Sequence, residues 1–148
     1  MSKTNEYKLY QLLKNNLKNT HFTRIESHTE LGIPDVNACH NGIEVWLELK
    51  ANTRKDLGLS KYQIVWMKKR IKHGGNVWIA NRPLLDKALR FYDPRTIDPG
   101  SLTSVHEQPA LVLGSRSIDW DLVMETLFPR AQQRSSPTLA LGKSQNFK

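Results

Sequence analysis

The segment Pro34–Lys50, PDVNACHNGIEVWLELK, limits the fold more than any other part of the chain. Along Ile43–Lys50 the residues Ile43, Val45, Leu47 and Leu49 alternate with Glu44, Trp46, Glu48 and Lys50. That period of two places one set on each face of a strand. Pro34–Cys39 reads as a preceding strand and His40-Asn41-Gly42 as the turn between them, because Asn-Gly accepts the positive φ angles of a tight hairpin loop. The apolar set gives the hairpin a face for a core. The other face carries carboxylates and an ammonium.

The hairpin folds Asp35, at the start of the first strand, back towards Glu48 and Lys50 at the end of the second. Two carboxylates held close together repel unless a cation lies between them. An all-oxygen site suits a hard divalent ion, Mg²⁺ with Mn²⁺ able to substitute. Asp35, Glu48 and the backbone carbonyl of Leu49 are the expected ligands. Lys50 is placed to orient or deprotonate a water, or to steady a phosphate oxygen. Such a set equips a chain for metal-assisted hydrolysis of a phosphodiester.

Pro34-Asp35, a hairpin and then Glu48-Leu49-Lys50 resemble the signature of the PD-(D/E)XK nucleases. The flanking residues are Arg24-Ile25-Glu26, Gly32-Ile33, Leu59-Ser60 with Gln63, and Gly74-Gly75 before a further strand. In that order they are similar to the VRR-NUC branch, in particular its small stand-alone phage members, and the layout is similar to archaeal Holliday-junction resolvases. The resemblance covers roughly residues 5–82. It implies an α/β, restriction-endonuclease-like core with a mixed sheet of about four to five strands flanked by helices. It also implies an Mg²⁺-dependent endodeoxyribonuclease acting on branched, flapped or nicked DNA in recombination, repair or processing. Asp35, Glu48 and Lys50 would be catalytic, Gln63 would point from its helix at the active centre, and Glu6 or Glu26 would add a carboxylate. A homodimer follows from the same resemblance, since paired cuts need two sites. So does the host-cell cytoplasm for a phage-borne protein.

The remaining chain supplies the setting. Glu6–Leu17 is an amphipathic helix capped by Thr4, which gives Glu6 a second reading as a first-turn acid favouring the helix dipole. His21–His28 is expected as a strand, where Glu26 could equally be a cross-strand partner of Arg24 or Lys50. Ala51–Leu59 is a polar loop whose Arg54 and Lys55 are placed to touch a phosphate backbone. Ser60 caps a helix that ends at Gly74. Its Tyr62, Val65 and Trp66, with Ile64, Met67 and Ile71, give a wide apolar surface, so the aromatics are expected in the core rather than stacked on bases. Arg24, Arg54, Lys55, Lys61, Lys68 and Lys69 are the expected nucleic-acid contacts. Asn76–Asn81 is a buried strand, residues 83–89 a short helix, 90–92 a strand, and 93–100 a loop. Residues 108–114 form an edge strand or a packed tether, and 117–128 a last helix that either closes the domain or is a dimer element. Residues 1–128 thus make one nuclease domain, and 129–148 a basic tail expected to be disordered.

A net charge of +8, from 22 Lys and Arg against 14 Asp and Glu, favours a polyanionic partner such as DNA. Cys39 is the single cysteine, which rules out an intrachain disulfide. No apolar run is long enough for a membrane span, and the first residues lack a signal-peptide core, so a cytoplasmic protein is expected. His28 and His40 have no zinc-ligand spacing. Two other readings use the same residues: a DNA-binding module without catalysis, and a structural protein whose sheet-face charges are paired. Acids facing phosphates without a metal weaken binding, which weighs against the first. Pro34-Asp35, Glu48-Leu49-Lys50 and Gln63 together weigh against the second.

Overall fold

The computed structural model describes residues 4–51, 57–97 and 109–130. In chain order these form α1 (Asn5–Asn16), β1 (His21–Arg24), β2 (Val36–His40), β3 (Ile43–Lys50), α2 (Lys61–Lys72), β4 (Val77–Asn81), β5 (Leu89–Tyr92), a 3-10 turn (Pro94–Thr96), β6 (Leu111–Leu113) and α3 (Trp120–Leu127). The six strands lie in sequence order, β1 to β6, in one sheet. Only β3 and β4 run parallel; the other neighbours are antiparallel. The parallel pair needs a crossover, and α2 is that crossover.

Local chemistry explains the strand boundaries. Asn41 (φ 50°) and Gly42 (φ 79°) make the β2–β3 turn, and His40 pairs with Ile43 across it. β2 starts at Val36 rather than at Pro34, which has no N–H to give to a ladder. β1 stops at Arg24, short of the expected His28, because the chain turns away. There the Ser27 hydroxyl accepts from the Thr29 and Glu30 amides, a side-chain turn that competes with pairing. Residues 83–88 form a turn and not the helix expected over 83–89, and Leu89 begins β5. Asp86 accepts from the Ala88 amide and pairs with Arg90, while Lys87 adopts φ 56°. Leu111–Leu113 resolves as an edge strand on β5, which brings the sheet to six strands.

Both faces of the sheet are covered. Leu9 and Leu13 of α1, with Val123 and Leu127 of α3, pack on the face that carries Val45, Leu47 and Leu49. Ile64 and Met67 of α2 pack with Val77, Ile79 and Trp46 on the other. α3 therefore closes the domain. β4 contributes to both clusters, which accounts for its unbroken apolar run. On α2 the buried stripe is narrow. Ile64 and Met67 are enclosed, whereas Tyr62 and Val65, expected in the core, are exposed at 49% and 62%. At about 3.6 residues per turn these two fall on the side of the helix opposite that stripe. No helix among the described residues is long and apolar enough to cross a membrane.

Candidate active site

The site forms where β2 begins and β3 ends. The register that pairs Val36 with Leu47 would set Pro34 against Leu49, and proline cannot donate. Asp35 fills the gap: its Oδ2 accepts the Leu49 amide at 2.9 Å. β1 steadies the same residue, since the Ile25 amide donates to the Asp35 carbonyl at 2.8 Å. The peptides of Trp46 and Lys50 bond towards β4, so strand alternation turns the Leu49 carbonyl to the β2 side, beside Asp35.

Glu48 is 2% exposed. Burial first, and the nearby Asp35 carboxylate second, push its pKa up to about 8, with Lys50 pulling the other way. Its Oε2 accepts from Gln63 Nε2 at 2.9 Å and lies 3.5 Å from Lys50 Nζ. Its Oε1 is fully enclosed and has no hydrogen-bond partner. An enclosed carboxylate oxygen without a donor is costly. Lys50, 8% exposed, donates to the Gly58 carbonyl at 3.3 Å and approaches Gln63 Oε1 at 3.5 Å. Its ammonium is thus ringed by three oxygens.

Gln63 joins the helix cap to the site. Ser60 and Gln63 form a capping box: the Gln63 amide donates to Ser60 Oγ at 3.2 Å, and the Ser60 amide donates to Gln63 Oε1 at 2.9 Å. A backbone N–H can only donate, so Oε1 must face Ser60 and Nε2 must face Glu48. Replacing Ser60 with Ala should cost about 0.5–2 kcal/mol of stability, the usual worth of such a cap. Urea unfolding measures this, and a loss under about 0.2 kcal/mol would contradict the role given to the cap.

The structure separates the two glutamates left open by the sequence. Glu6, on the first turn of α1, has its pKa raised by burial and then by Asp35, while Lys50 and Arg24 lower it. It therefore lies in the field of the site. Glu26 is exposed, beyond the end of β1. Arg24 is exposed at the edge, its guanidinium stacked 5.4 Å from Tyr7 and 5.2 Å from Tyr10. Lys61 and Lys69 are exposed and Lys68 is half-buried on α2. Arg54, Lys55 and residues 131–148 of the tail lie outside the described residues. Asn81 escaped the sequence reading. It sits opposite Lys50 in the parallel register, buried, with Oδ1 unbonded and its side chain hydrogen-bonded to Tyr92. Only the pairing of β3 with β4 reveals it.

Among the described residues no three His, Cys, Asp or Glu side chains gather as a metal cage. The site is a carboxylate pair, Asp35 and Glu48, with a backbone carbonyl alongside. Mg²⁺ is commonly held this way, by one or two carboxylates with waters and substrate phosphate completing its shell. The enclosed, undonated Glu48 Oε1 fits a cation partner.

No family model matches the chain, and no curated protein does. Among solved structures it is similar to Archaeoglobus fulgidus Hjc, a Holliday junction resolvase from an archaeal hyperthermophile. The two share 18% sequence identity at a TM-score of 0.50, over 63% of this chain and 77% of the other. The likeness is one of fold: the chain has a restriction-endonuclease-like architecture.

Proposed function

We propose that this protein is a metal-dependent endonuclease that hydrolyses phosphodiester bonds in DNA and selects its substrate by shape. The observation that carries this reading is the enclosed Glu48 carboxyl, with its undonated oxygen, beside Asp35 and Lys50. Asp35, Glu48 and the Leu49 carbonyl would hold Mg²⁺, with Mn²⁺ able to replace it. When bound, the ion supplies a hydroxide-like water near neutral pH and charge stabilisation for the phosphoryl oxygens. The chain's own groups do the rest. Lys50 Nζ lies within 3.5 Å of Glu48, Gly58 and Gln63 oxygens and donates to them. Its proposed role is to neutralise charge on the phosphate. Gln63 Nε2 fixes Glu48 Oε2, while the enclosed Oε1 has no donor and would gain one partner if a cation bound beside it. Glu6 adds negative potential at the rim, which strengthens the hold on a cation.

Within this class the Pro34-Asp35, Glu48-Leu49-Lys50 and Gln63 pattern supports a VRR-NUC-like, phage-borne enzyme working in the host-cell cytoplasm. Branched, flapped or nicked DNA is the expected substrate, as the fold resembles that of a junction resolvase. A homodimer would supply the second site for paired cuts. The test is a panel of labelled four-way junction, flap, nicked duplex, plain duplex and single strand, each with Mg²⁺, Mn²⁺ or EDTA. Cleavage that requires metal and favours branched or nicked forms is expected. Binding without cutting under every condition would overturn the reading in favour of a non-catalytic DNA-binding module.

A further inference from the structure

The exposed side of α2 carries a feature that hydrolysis of the phosphodiester does not use. Tyr62 and Val65 stand in solvent at 49% and 62% exposure, one turn apart. Gly32 packs its backbone against the Tyr62 carbonyl, which brings Leu31, 66% exposed, alongside the first turn of the helix. An exposed aromatic and an exposed aliphatic thus share one side of α2, while the buried stripe is satisfied by Ile64 and Met67. The patch is on the turn of α2 that also carries the site's Gln63, but faces a different way around the helix. Tyr62 is the neighbour of Gln63, whose amide holds Glu48, and consecutive Cα atoms are only about 3.8 Å apart.

The charges around the patch choose its occupant. α2 contains Lys61, Lys68, Lys69, Arg70 and Lys72 and no acidic residue. Lys61 Nζ rests 5.3 Å from the centroid of the Tyr62 ring. Ring and cation are presented together, the pairing that a nucleotide matches with its base and its phosphate. Lys69 extends the positive charge along the same exposed side. The neighbouring acid, Glu30, is engaged with Trp66, whose Nε1 donates to its Oε2 at 3.0 Å. A second copy of this chain would have to bring acidic groups to so cationic a surface. A nucleic-acid strand brings phosphates by nature.

We propose that Tyr62, with Val65 one turn on, is a stacking platform for an unpaired base of a strand that passes over α2 on its way to the site. A base inside a duplex is already stacked on both sides and cannot use the ring. A base freed at a branch point, flap or single-stranded end can. The platform would therefore tell unpaired nucleotides from paired ones without reading sequence, which names the feature by which this enzyme selects shape. That the strand leads to the site rests on the nuclease reading; the stacking itself does not.

The test is fluorescence anisotropy with a labelled single strand and a labelled blunt duplex of equal length, in Ca²⁺ at fixed salt, so that binding is read without cleavage. Tyr62→Ala should weaken single-strand binding about 5- to 100-fold, the range for loss of one base–aromatic stack. Its effect on the duplex should stay within about 2-fold, since the duplex is held by phosphate contacts that the variant keeps. Tyr62→Phe should bind the single strand as the wild type does. Unchanged single-strand affinity in Tyr62→Ala, or an equal loss on both DNAs, would overturn the platform. So would light scattering that shows a wild-type dimer and a Tyr62→Ala monomer, because the patch would then be an interface between copies. Because anisotropy needs no catalysis, a protein that never cuts DNA but shows this pattern would refute the nuclease and keep the platform.

Discussion

Glu48→Gln is expected to remove phosphodiester cleavage and, in the same protein, to raise thermal stability above acidic pH. The first effect follows from its place in the site. Loss of a residue that merely orients a metal ligand costs about 10–100-fold, so if Glu48 is the ligand proposed above, loss of its charge should exceed about 100-fold. The second effect follows from the proton. Burial and Asp35 hold the Glu48 carboxyl at about 8 in the fold, against an ordinary 4.5. Between those values the folded chain keeps a proton that the unfolded chain has released. Stability is therefore highest below about 4.5 and falls as pH rises towards 8. The neutral amide of Gln does not titrate and escapes this loss. Thermal melts of both proteins from pH 5 to 9 should diverge steadily over that window, with the variant higher at the alkaline end. Added Mg²⁺ should raise the wild-type melt at pH 8 by binding the folded chain alone, and should do so less for the variant. A fully active Glu48→Gln protein would sink the catalytic assignment. Parallel melts across the pH range would sink the electrostatic one.

The second large effect is expected from Gly32→Ala, a change of one methyl group outside every helix and strand. Gly32 has φ +88°, and a Cβ there would stand 2.2 Å from the Tyr62 carbonyl oxygen, 2.5 Å from its carbon and 2.9 Å from the Gln63 amide nitrogen. All three are backbone atoms of the first turn of α2 and cannot rotate aside. Left-handed strain of about 1–3 kcal/mol joins an overpacking cost of similar size, for a total loss of about 2–6 kcal/mol in urea unfolding. Cleavage should fall as well, because the clash pushes Gln63 and Pro34-Asp35 apart. Gly42→Ala is the control. Its φ is also positive, at +79°, but nothing lies within 4 Å of the added Cβ. Only the backbone penalty of about 1–2 kcal/mol applies there. If the two variants lose equal stability, the contact between Gly32 and α2 is not what places the helix.

What the sequence disclosed is what short-range chemistry determines. The Asn41-Gly42 turn, the Thr4 and Ser60 caps and the alternation of β3 each depend on neighbours within a few residues, and each is present. Asp35, Glu48 and Lys50 come together because one hairpin register suffices to join them. Features that depend on distant pairing were hidden. Glu6 and Glu26 were equal candidates until the packing of α1 put Glu6 under the influence of Asp35, and the turn at Ser27 took the chain out of β1 before Glu26. Asn81 comes beside Lys50 only through the parallel β3–β4 register. Tyr62 and Val65 were expected inside because periodicity shows how wide an apolar stripe is, not how much of it the sheet covers. The turn at residues 83–88 depends on Asp86 capturing Ala88 and Arg90, which composition favoured no more than a helix.

The capping box of α2 leaves position 63 very little freedom. As a cap, the helix would accept either Gln or Glu there, since both reach back to the Ser60 amide. As a neighbour of Glu48, the site accepts only a side chain that donates, because a third carboxylate would meet an enclosed one. Glutamine is where the two demands overlap. Substitution of either partner, Ser60 or Gln63, in a redesign of this scaffold is then a change to folding and chemistry at once. An engineer seeking to retune the site would do better to begin at Asn81, opposite Lys50, which is bound by neither demand.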